Sequence, residues 1–236
     1  MLAQTGRRLA HLLFGGSCFL CRGAAEDILC AACDADLPRL GPGPCPRCAL
    51  DSPAGAVCGR CLAKPPHYDA TFAALAYRFP ADVLVQALKF RGELALASLF
   101  GRLLAEKLAG SDRVDCLVPV PLSTHRLRER GFNQALEIAR HVAREAGRTS
   151  GSRLAPELCE RTRDTPAQLG LPPAERARNV RGAFHCPRLI EGATVAVLDD
   201  VMTTGATLDE IAATLKKAGA ARVVNWVVAR TFPAHV

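Results

Sequence analysis

The chain has 236 residues, a formal net charge of +7, 49% hydrophobic residues and a mean hydropathy of +0.10. This length exceeds the roughly 100–200 residues of a single domain, so the sequence predicts a sizeable core and a smaller module. No apolar run approaches the roughly 20 residues that span a bilayer, which excludes a spanning helix, and the broken apolar patch near the N-terminus does not match a secretory signal. We therefore expect a cytoplasmic protein with no membrane insertion.

The cysteines are concentrated at the start of the chain. Eight of the 11 form four C-x-x-C pairs, and two such pairs complete a tetrahedral four-thiolate zinc site. The spacing repeats as C-x2-C-x8-C-x2-C and then C-x2-C-x9-C-x2-C, which favours two sequential sites and leaves an interleaved arrangement open. We expect about two structural zinc ions, held by Cys18, Cys21, Cys30, Cys33, Cys45, Cys48, Cys58 and Cys61.

The segments between these cysteines hold few large apolar residues, so metal binding must supply the folding energy. The segment "LAKPPH", residues 62–67, is the predicted linker, because the cysteine-rich composition before it changes to alternating strand and helix patterns after it. We expect an N-terminal helix and a double zinc ribbon in residues 1–66, followed by a second domain in residues 67–236.

The second domain alternates between strand and helix patterns. In chain order, strands are predicted at "DATFAALAYRF", "RVDCLVPVP", "LAPELCERT", "ATVAVLDD" and "ARVVNWVVART", and helices at "ADVLVQALKF", "LALASLFGRLLAEKLAG", "NQALEIARHVAREAG" and "ATLDEIAATLKKAG". Such alternation predicts a mostly parallel sheet with helices on both faces. Ligands of these sheets bind at the carboxyl ends of the strands, which places residues 119–131 and 199–207 at one rim.

The segment "VAVLDDVMTTGATLDE", residues 195–210, carries the most specific chemistry. A buried strand leads into Asp199 and Asp200, and a small hydroxyl-rich turn then opens a helix. The free N–H groups and the positive end of a helix start bind phosphate, and Gly205 permits a close backbone approach. Carboxylates repel phosphate but accept hydrogen bonds from a vicinal diol. The pattern therefore predicts a site for ribose 5-phosphate.

This stretch resembles the phosphoribosyl-pyrophosphate-binding motif of type I phosphoribosyltransferases. The resemblance implies that Asp199 and Asp200 bind the ribose hydroxyls and act catalytically, by stabilising positive charge on the ribose ring. It implies a leaving group of magnesium-bound pyrophosphate. The 5-phosphate would lie against Thr203, Thr204, Gly205, Ala206 and Thr207.

Two further stretches and the paired cysteines together resemble the ComF family. The stretches are "VPVPLSTHRLRERGFNQA" (118–135) and "RTRDTPAQLGLPPAERARNVRGAF" (161–184). The resemblance covers nearly the whole chain and implies a type I phosphoribosyltransferase-like α/β domain behind a small four-cysteine zinc-ribbon module. It also implies a role in natural competence or in processing imported DNA, with single-stranded DNA and proteins of the DNA-uptake machinery as candidate partners.

Basic residues near the same rim predict a pyrophosphate site. Residues 113–188 contain 14 arginines, no lysine and eight acids. Arginine suits bidentate phosphate contacts. Biased codon composition or a solvated helix surface is the alternative explanation of the arginine excess. The 119–131 loop and the proline-punctuated, lid-like segment 161–181 are expected to enclose the leaving group. The candidate contacts are Lys89, Arg126, Arg130, Arg161, Arg163 and Arg176.

Three functions stay open at this point: a working phosphoribosyltransferase, an accessory protein that handles single-stranded DNA, and a regulator that senses the sugar pyrophosphate. Aromatic residues make up only 5% of the chain, which counts against a stacking platform for single strands. No general base is visible, so the sequence does not identify the acceptor.

Overall fold

The computed structural model describes residues 16–146, 152–163 and 178–233. In chain order the strands are β1 (Ala70–Ala76), β2 (Cys116–Pro119), β3 (Arg153–Leu154), β4 (Glu160–Arg161), β5 (Phe184–His185), β6 (Thr194–Met202) and β7 (Arg222–Arg230). Five of them form a parallel sheet in the order β1-β7-β6-β2-β3, while β4 and β5 pair antiparallel. The predicted N-terminal helix lies largely outside the described residues.

Helices precede, connect and follow these strands. They are α1 (Ala31–Ala35), α2 (Gly59–Ala63), α3 (Ala81–Arg91), α4 (Ala95–Lys107), α5 (Thr124–Arg130), α6 (Gln134–Ala146) and α7 (Ala206–Lys217). Their sequences explain them: α7, for example, places Leu208, Ile211 and Leu215 at helical spacing, and all three are buried. Among the described residues, no helix has the length and apolarity needed to cross a bilayer.

The direction of the connections explains the two helical layers. From β1 to β2 and from β2 to β3 the chain moves toward one edge of the sheet, whereas from β6 to β7 it moves toward the other. Because crossovers between parallel strands are right-handed, α4 and α6 lie on one face and α7 on the opposite face. The predicted mostly parallel sheet with helices on both faces, preceded by a zinc-ribbon module, is confirmed.

The two central strands, β6 and β7, form the middle of the core. Val195, Val197, Val223 and Trp226 are all buried, because helices cover both faces of the sheet and leave continuous apolar runs in its strands. The connections reverse direction between β6 and its neighbour β2, and in open α/β sheets a ligand crevice forms outside the carboxyl ends of the strands at such a point. The fold therefore places the crevice next to residues 199–207.

The cysteine-rich module covers the edge strand β1. Three backbone hydrogen bonds join them, from Thr71 N to Pro46 O (2.9 Å), from Leu40 N to Ala74 O (3.0 Å) and from Ala76 N to Pro38 O (2.7 Å). An exposed edge strand would present unpaired N–H and C=O groups. The module satisfies these groups, so it is joined to the sheet by main-chain contacts.

Three local features differ from the sequence-based expectation. The predicted strand "LAPELCERT" is divided into the end of β3, a short 3-10 helix (Pro156–Leu158) and β4, which belongs to the two-stranded sheet. β6 continues through Met202, so the two acids lie within the strand and not at its end; β7 continues beside it and pairs Val201 with Ala229 and Met202 with Arg230. The 119–131 segment is not all loop, because it contains α5. The Ser123 side chain caps that helix by accepting a hydrogen bond from Arg126 N (3.3 Å).

Candidate functional site

The two acids lie at the crevice because of the register between β2 and β6. Pro119, the last residue of β2, pairs with Leu198, so Asp199 and Asp200 begin where the neighbouring strand ends. Asp200 is 3% exposed, and its Oδ1 lies 2.9 Å from Nζ of Lys89, which α3 provides. Within the described residues, the second oxygen, Oδ2, is buried without a hydrogen-bond partner. A buried, unpartnered carboxylate oxygen costs free energy unless a ligand satisfies it.

The two acids differ in their electrostatic environment. Burial and the neighbouring Asp200 carboxylate raise the pKa of Asp199 to about 8. Burial disfavours the charged form of Lys89, but the Asp200 carboxylate outweighs it and raises the pKa of Lys89. Within this pair of neighbouring acids, Asp199 is therefore the one whose raised pKa favours the protonated form near neutral pH.

The loop that the sequence predicts to bind phosphate, residues 203–207 and called the phosphate loop below, has glycine at its centre. Gly205 has φ of 85°, and a Cβ there would lie 2.7 Å from Cε of Met202 and 3.1 Å from Oη of Tyr68. Another residue would be strained at this positive φ, and the Met202 side chain would have to shift to accommodate its Cβ. The loop turns directly into α7, and Thr204 Oγ1 accepts a hydrogen bond from Ala206 N (3.3 Å).

Two arginines hold the carbonyl side of this loop. Arg230, 1% exposed at the end of β7, donates to the carbonyls of Met202 (2.8 Å) and Thr203. Arg60 donates to the carbonyl of Thr204 (3.0 Å). Burial lowers the pKa of Arg230, and the negative charge at Cys48 opposes that shift. Neither arginine was predicted as a site residue, although an arginine that ends the apolar strand "VVNWVVAR" is a visible signal.

The structure brings some predicted pyrophosphate residues together and not others. Lys89 pairs with Asp200, as described above. The Cζ atom of Arg130 lies 5.7 Å from the centroid of the Phe90 ring, and its guanidinium donates to Gln134 Oε1. Burial lowers the pKa of Arg130, and the negative charge of Asp200 opposes that shift, which indicates that the two side chains lie near each other. Arg126 places its backbone N–H in the cap of α5.

The remaining predicted contacts belong to the segment around β4 and β5. Arg161 lies over the Phe184 ring at 5.6 Å, and Arg163 donates to the carbonyl of Arg181 (2.6 Å). This segment reaches α7 through a hydrogen bond from Gly182 N to Glu210 Oε1 (2.7 Å). Arg176 lies outside the described residues, so the predicted lid stays a prediction.

The eight paired cysteines form two clusters in sequential order. Cys18, Cys21, Cys30 and Cys33 form the first cluster, and Cys45, Cys48, Cys58 and Cys61 form the second; the sulfur atoms within each cluster lie within 4.8 Å of one another. The interleaved arrangement is excluded. Four converging thiolates match a closed, tetrahedral structural zinc site, so the clusters fit two structural zinc ions.

Comparisons with known proteins agree with this architecture. The family model of the double zinc ribbon domain matches residues 9–62. The chain is 35% identical over 228 residues to DNA utilization protein YhgH of Salmonella typhi, covering 92% of this chain and 97% of the relative. It is 29% identical to competence protein F of Haemophilus influenzae (92% and 98% covered) and 26% identical to competence protein ComFC of Streptococcus pneumoniae (95% and 97% covered).

Two solved structures resemble the chain more weakly. The allosteric regulatory enzyme of purine biosynthesis is 22% identical, with a TM-score of 0.35 and coverage of 56% of this chain and 25% of that one. A hypoxanthine phosphoribosyltransferase from Staphylococcus aureus is 11% identical, with a TM-score of 0.29 and coverage of 66% and 77%. Because both TM-scores are low, neither superposition bears on the function of this chain.

Proposed function

The chain belongs to the ComF family, and on that premise we propose that it binds magnesium phosphoribosyl pyrophosphate in the crevice at β6 and transfers the phosphoribosyl group. The proposal is carried by Oδ2 of Asp200, which is buried and has no hydrogen-bond partner in the part of the chain that the structure describes. Asp200 lies in β6, only three residues before the phosphate loop. In ribose 5-phosphate the diol and the phosphate are also close together, so a single molecule could contact both the Asp200 carboxylate and the loop. We also propose that the chain divides between residues 66 and 67 into the zinc-ribbon module and the phosphoribosyltransferase-like domain.

Each part of the site has a role in the proposed reaction. The loop amides and the start of α7 bind the 5-phosphate, and the two acids accept hydrogen bonds from the ribose hydroxyls. The acceptor forms a bond to C1 of the ribose while the bond to the pyrophosphate oxygen breaks, and the electron pair leaves with the pyrophosphate. The Asp200 carboxylate, and Asp199 in its deprotonated form, stabilise the positive charge that develops on the ring.

The leaving group needs positive charge. Bound Mg²⁺ would neutralise the pyrophosphate, and Arg126 and Arg130 on the segment after β2 are the proposed protein contacts. Lys89 pairs with Asp200, so we propose that Lys89 positions this acid and contacts the pyrophosphate only when the ribose diol hydrogen-bonds to the carboxylate.

The biological setting follows from the relatives. Their names describe DNA utilization and competence, so we propose that the transfer serves the processing of imported DNA. Direct handling of single-stranded DNA is the second candidate. Several arginines of residues 113–188 are already paired with acids, including Arg140 with Glu137 (2.6 Å) and Arg153 with Glu157 (2.8 Å), which reduces the basic surface available for DNA.

Calorimetric titration with magnesium phosphoribosyl pyrophosphate tests the site. Asp199→Asn, and Asp200→Asn combined with Lys89→Met to avoid an unpaired lysine, are each expected to weaken binding by about 10- to 100-fold, since hydrogen bonds to charged groups contribute about 1.5–3 kcal/mol. Asp115→Asn is the matched control, because Asp115 lies at the amino ends of the same strands, where it accepts from Thr194 N (2.8 Å). Equal affinity in all four proteins would refute the assignment. A pyrophosphate-release assay across nucleobases, amines and DNA then separates transfer from sensing.

A further inference from the structure

The second cysteine cluster is joined to the phosphate loop by side-chain contacts. We infer that this cluster positions the loop through Arg230 and Arg60, so that zinc in the second cluster, and not in the first, is needed to bind a 5-phosphate. The inference rests on the proposed function for its ligand. It assigns the two arginines as positioning residues, because both act through the loop backbone.

Arg230 links the cluster to the loop directly. Among the described residues, four backbone carbonyls accept hydrogen bonds from it: Nε donates to Cys48 (2.8 Å), and Nη1 donates to Met202 (2.8 Å), Thr203 and Thr231 (2.8 Å). Cys48 is itself a member of the second cluster, so the turn that holds a zinc ligand also fixes one side of the guanidinium. If that turn loosens, the guanidinium loses its contact with the cluster and keeps only its contacts with residues 202, 203 and 231.

The cluster also offsets part of the free-energy cost of burying the Arg230 guanidinium. A charged side chain that is 1% exposed carries a large desolvation cost, and neutral carbonyls offset only part of it. A zinc ion with four thiolates has a net charge of about −2, which favours a buried cation beside it. Zinc loss would remove both the folded turn and the compensating charge.

Arg60 provides a second link. It lies in α2, between the cluster members Cys58 and Cys61, and its Nη2 donates to Thr204 O at 3.0 Å. In the first cluster the corresponding position between Cys30 and Cys33 is Ala32, which has no side-chain donor. The link is therefore specific to the second cluster.

These contacts set the direction of the loop amides. In a trans peptide unit the C=O and N–H groups point in opposite directions. With the carbonyls of Met202, Thr203 and Thr204 held by the two arginines, the N–H groups of the following residues, 203–205, point to the other side of the loop. Aligned N–H groups of this kind bind phosphate, so the arginines orient the binding surface without touching the ligand.

The first cluster has a different neighbour. Asp34, which follows Cys33, pairs with Arg102 of α4 (2.6 Å) and with Arg39 (2.7 Å). Its docking therefore involves α4, and the two clusters provide a matched comparison within one chain.

Cysteine variants test the inference with two probes, ribose 5-phosphate and magnesium pyrophosphate. Cys58→Ser and Cys30→Ser should each lose about one zinc ion per chain. Ribose 5-phosphate affinity should fall about tenfold more in Cys58→Ser than in Cys30→Ser, and magnesium pyrophosphate affinity should change equally in both. Arg60→Ala should weaken ribose 5-phosphate about 3- to 10-fold, whereas Arg22→Ala, beside a cysteine of the first cluster, should change neither affinity.

Hydrogen–deuterium exchange of residues 203–207 provides a readout without ligand. Faster exchange of the loop in Cys58→Ser than in Cys30→Ser supports the inference, even if the wild-type protein binds neither probe and the proposed function fails. Equal loop exchange in the two variants, or an equal loss of both probes in Cys58→Ser, overturns it, because the module would then act only as a general scaffold.

Discussion

The two cysteine clusters have the same four ligands and almost the same spacing, yet they contact different parts of the protein. The first is joined to α4 by the partly exposed ion pair between Asp34 and Arg102. The second is joined to the phosphate loop by Arg60 and, through the Cys48 carbonyl, by Arg230. The comparison teaches that the ligand set specifies the metal, while the residues between and beside the ligands decide what the metal site supports.

Removal of all metal should have the largest effect, because it takes away the folding energy of both clusters. Zinc binding to small modules contributes about 10–16 kcal/mol. Metal analysis should find about two zinc ions per chain, and a strong chelator should unfold the module and lower Tm. A folded N-terminal module in metal-free protein would contradict the assignment of both clusters.

Paired arginine variants should separate the clusters by stability. Arg230→Met leaves several carbonyls without their donor and should cost about 3 kcal/mol or more of unfolding free energy. Arg102→Met removes the ion pair of the first cluster, but that side chain is 38% exposed, so its loss should cost about 1 kcal/mol or less. Urea denaturation measures both values. Equal losses of unfolding free energy in the two variants would contradict the larger stabilisation that we assign to the buried Arg230 contacts.

Opposite pH dependences should distinguish the two regions. Burial and Asp200 raise the pKa of Asp199 to about 8, so the folded state retains a proton that the unfolded state has lost, and this group makes stability fall as pH rises from about 4 to 8. At Asp34 burial acts to raise the pKa, but Arg102 and Arg39 outweigh it and lower the pKa. The stabilising contribution of Asp34 is therefore fully present at pH values above the ordinary pKa of aspartate, and it is lost as the pH falls through the lowered pKa.

Melting curves at pH 4 to 9 check these signs. Asp199→Asn should gain stability relative to wild type as pH rises to about 8, and each kcal/mol regained is worth about 2–4 °C in Tm. Asp34→Asn should lose stability relative to wild type at neutral pH and approach it as the pH falls. A gap that stays constant with pH in either variant would contradict the corresponding assignment.

The smallest expected effect concerns DNA. A few contacts to single-stranded DNA should give a slope of roughly −2 to −4 in log affinity against log salt, at about 0.7 per contact. Displacement of DNA by the sugar pyrophosphate would place DNA at the crevice, whereas simultaneous binding would place it on the cysteine module or another face. No binding at low salt would leave handling of DNA without support.

Local patterns predicted much of the fold. The apolar runs of β6 and β7 and the helical spacing of α7 identified the parallel sheet, and the repeated cysteine spacing identified the two clusters. The extension of β6 through Met202 could not be predicted, because it depends on β7 continuing beside it. The helix α5 was missed because a polar, basic segment after Pro121 also matches a loop.

The site was predictable only where side chains carry the chemistry. Asp199, Asp200 and Gly205 form a recognisable pattern in one short segment. The contact of Arg230 with Cys48 joins residues that are 182 positions apart, and its acceptor is a backbone carbonyl, which every residue has. No sequence pattern marks such a partner. The pairing of Lys89 with Asp200 was missed for a related reason, because a lysine near a rim also suits a pyrophosphate contact.

The most direct test of the account is hydrogen–deuterium exchange of the wild-type protein with and without ribose 5-phosphate. If the phosphate loop binds the 5-phosphate, exchange should slow at residues 203–207 and around Asp199 and Asp200, and should not change around the first cluster. Slower exchange at the first cluster or at the 160–163 and 181–185 segments, with residues 203–207 unchanged, would contradict the assignment of the phosphate loop.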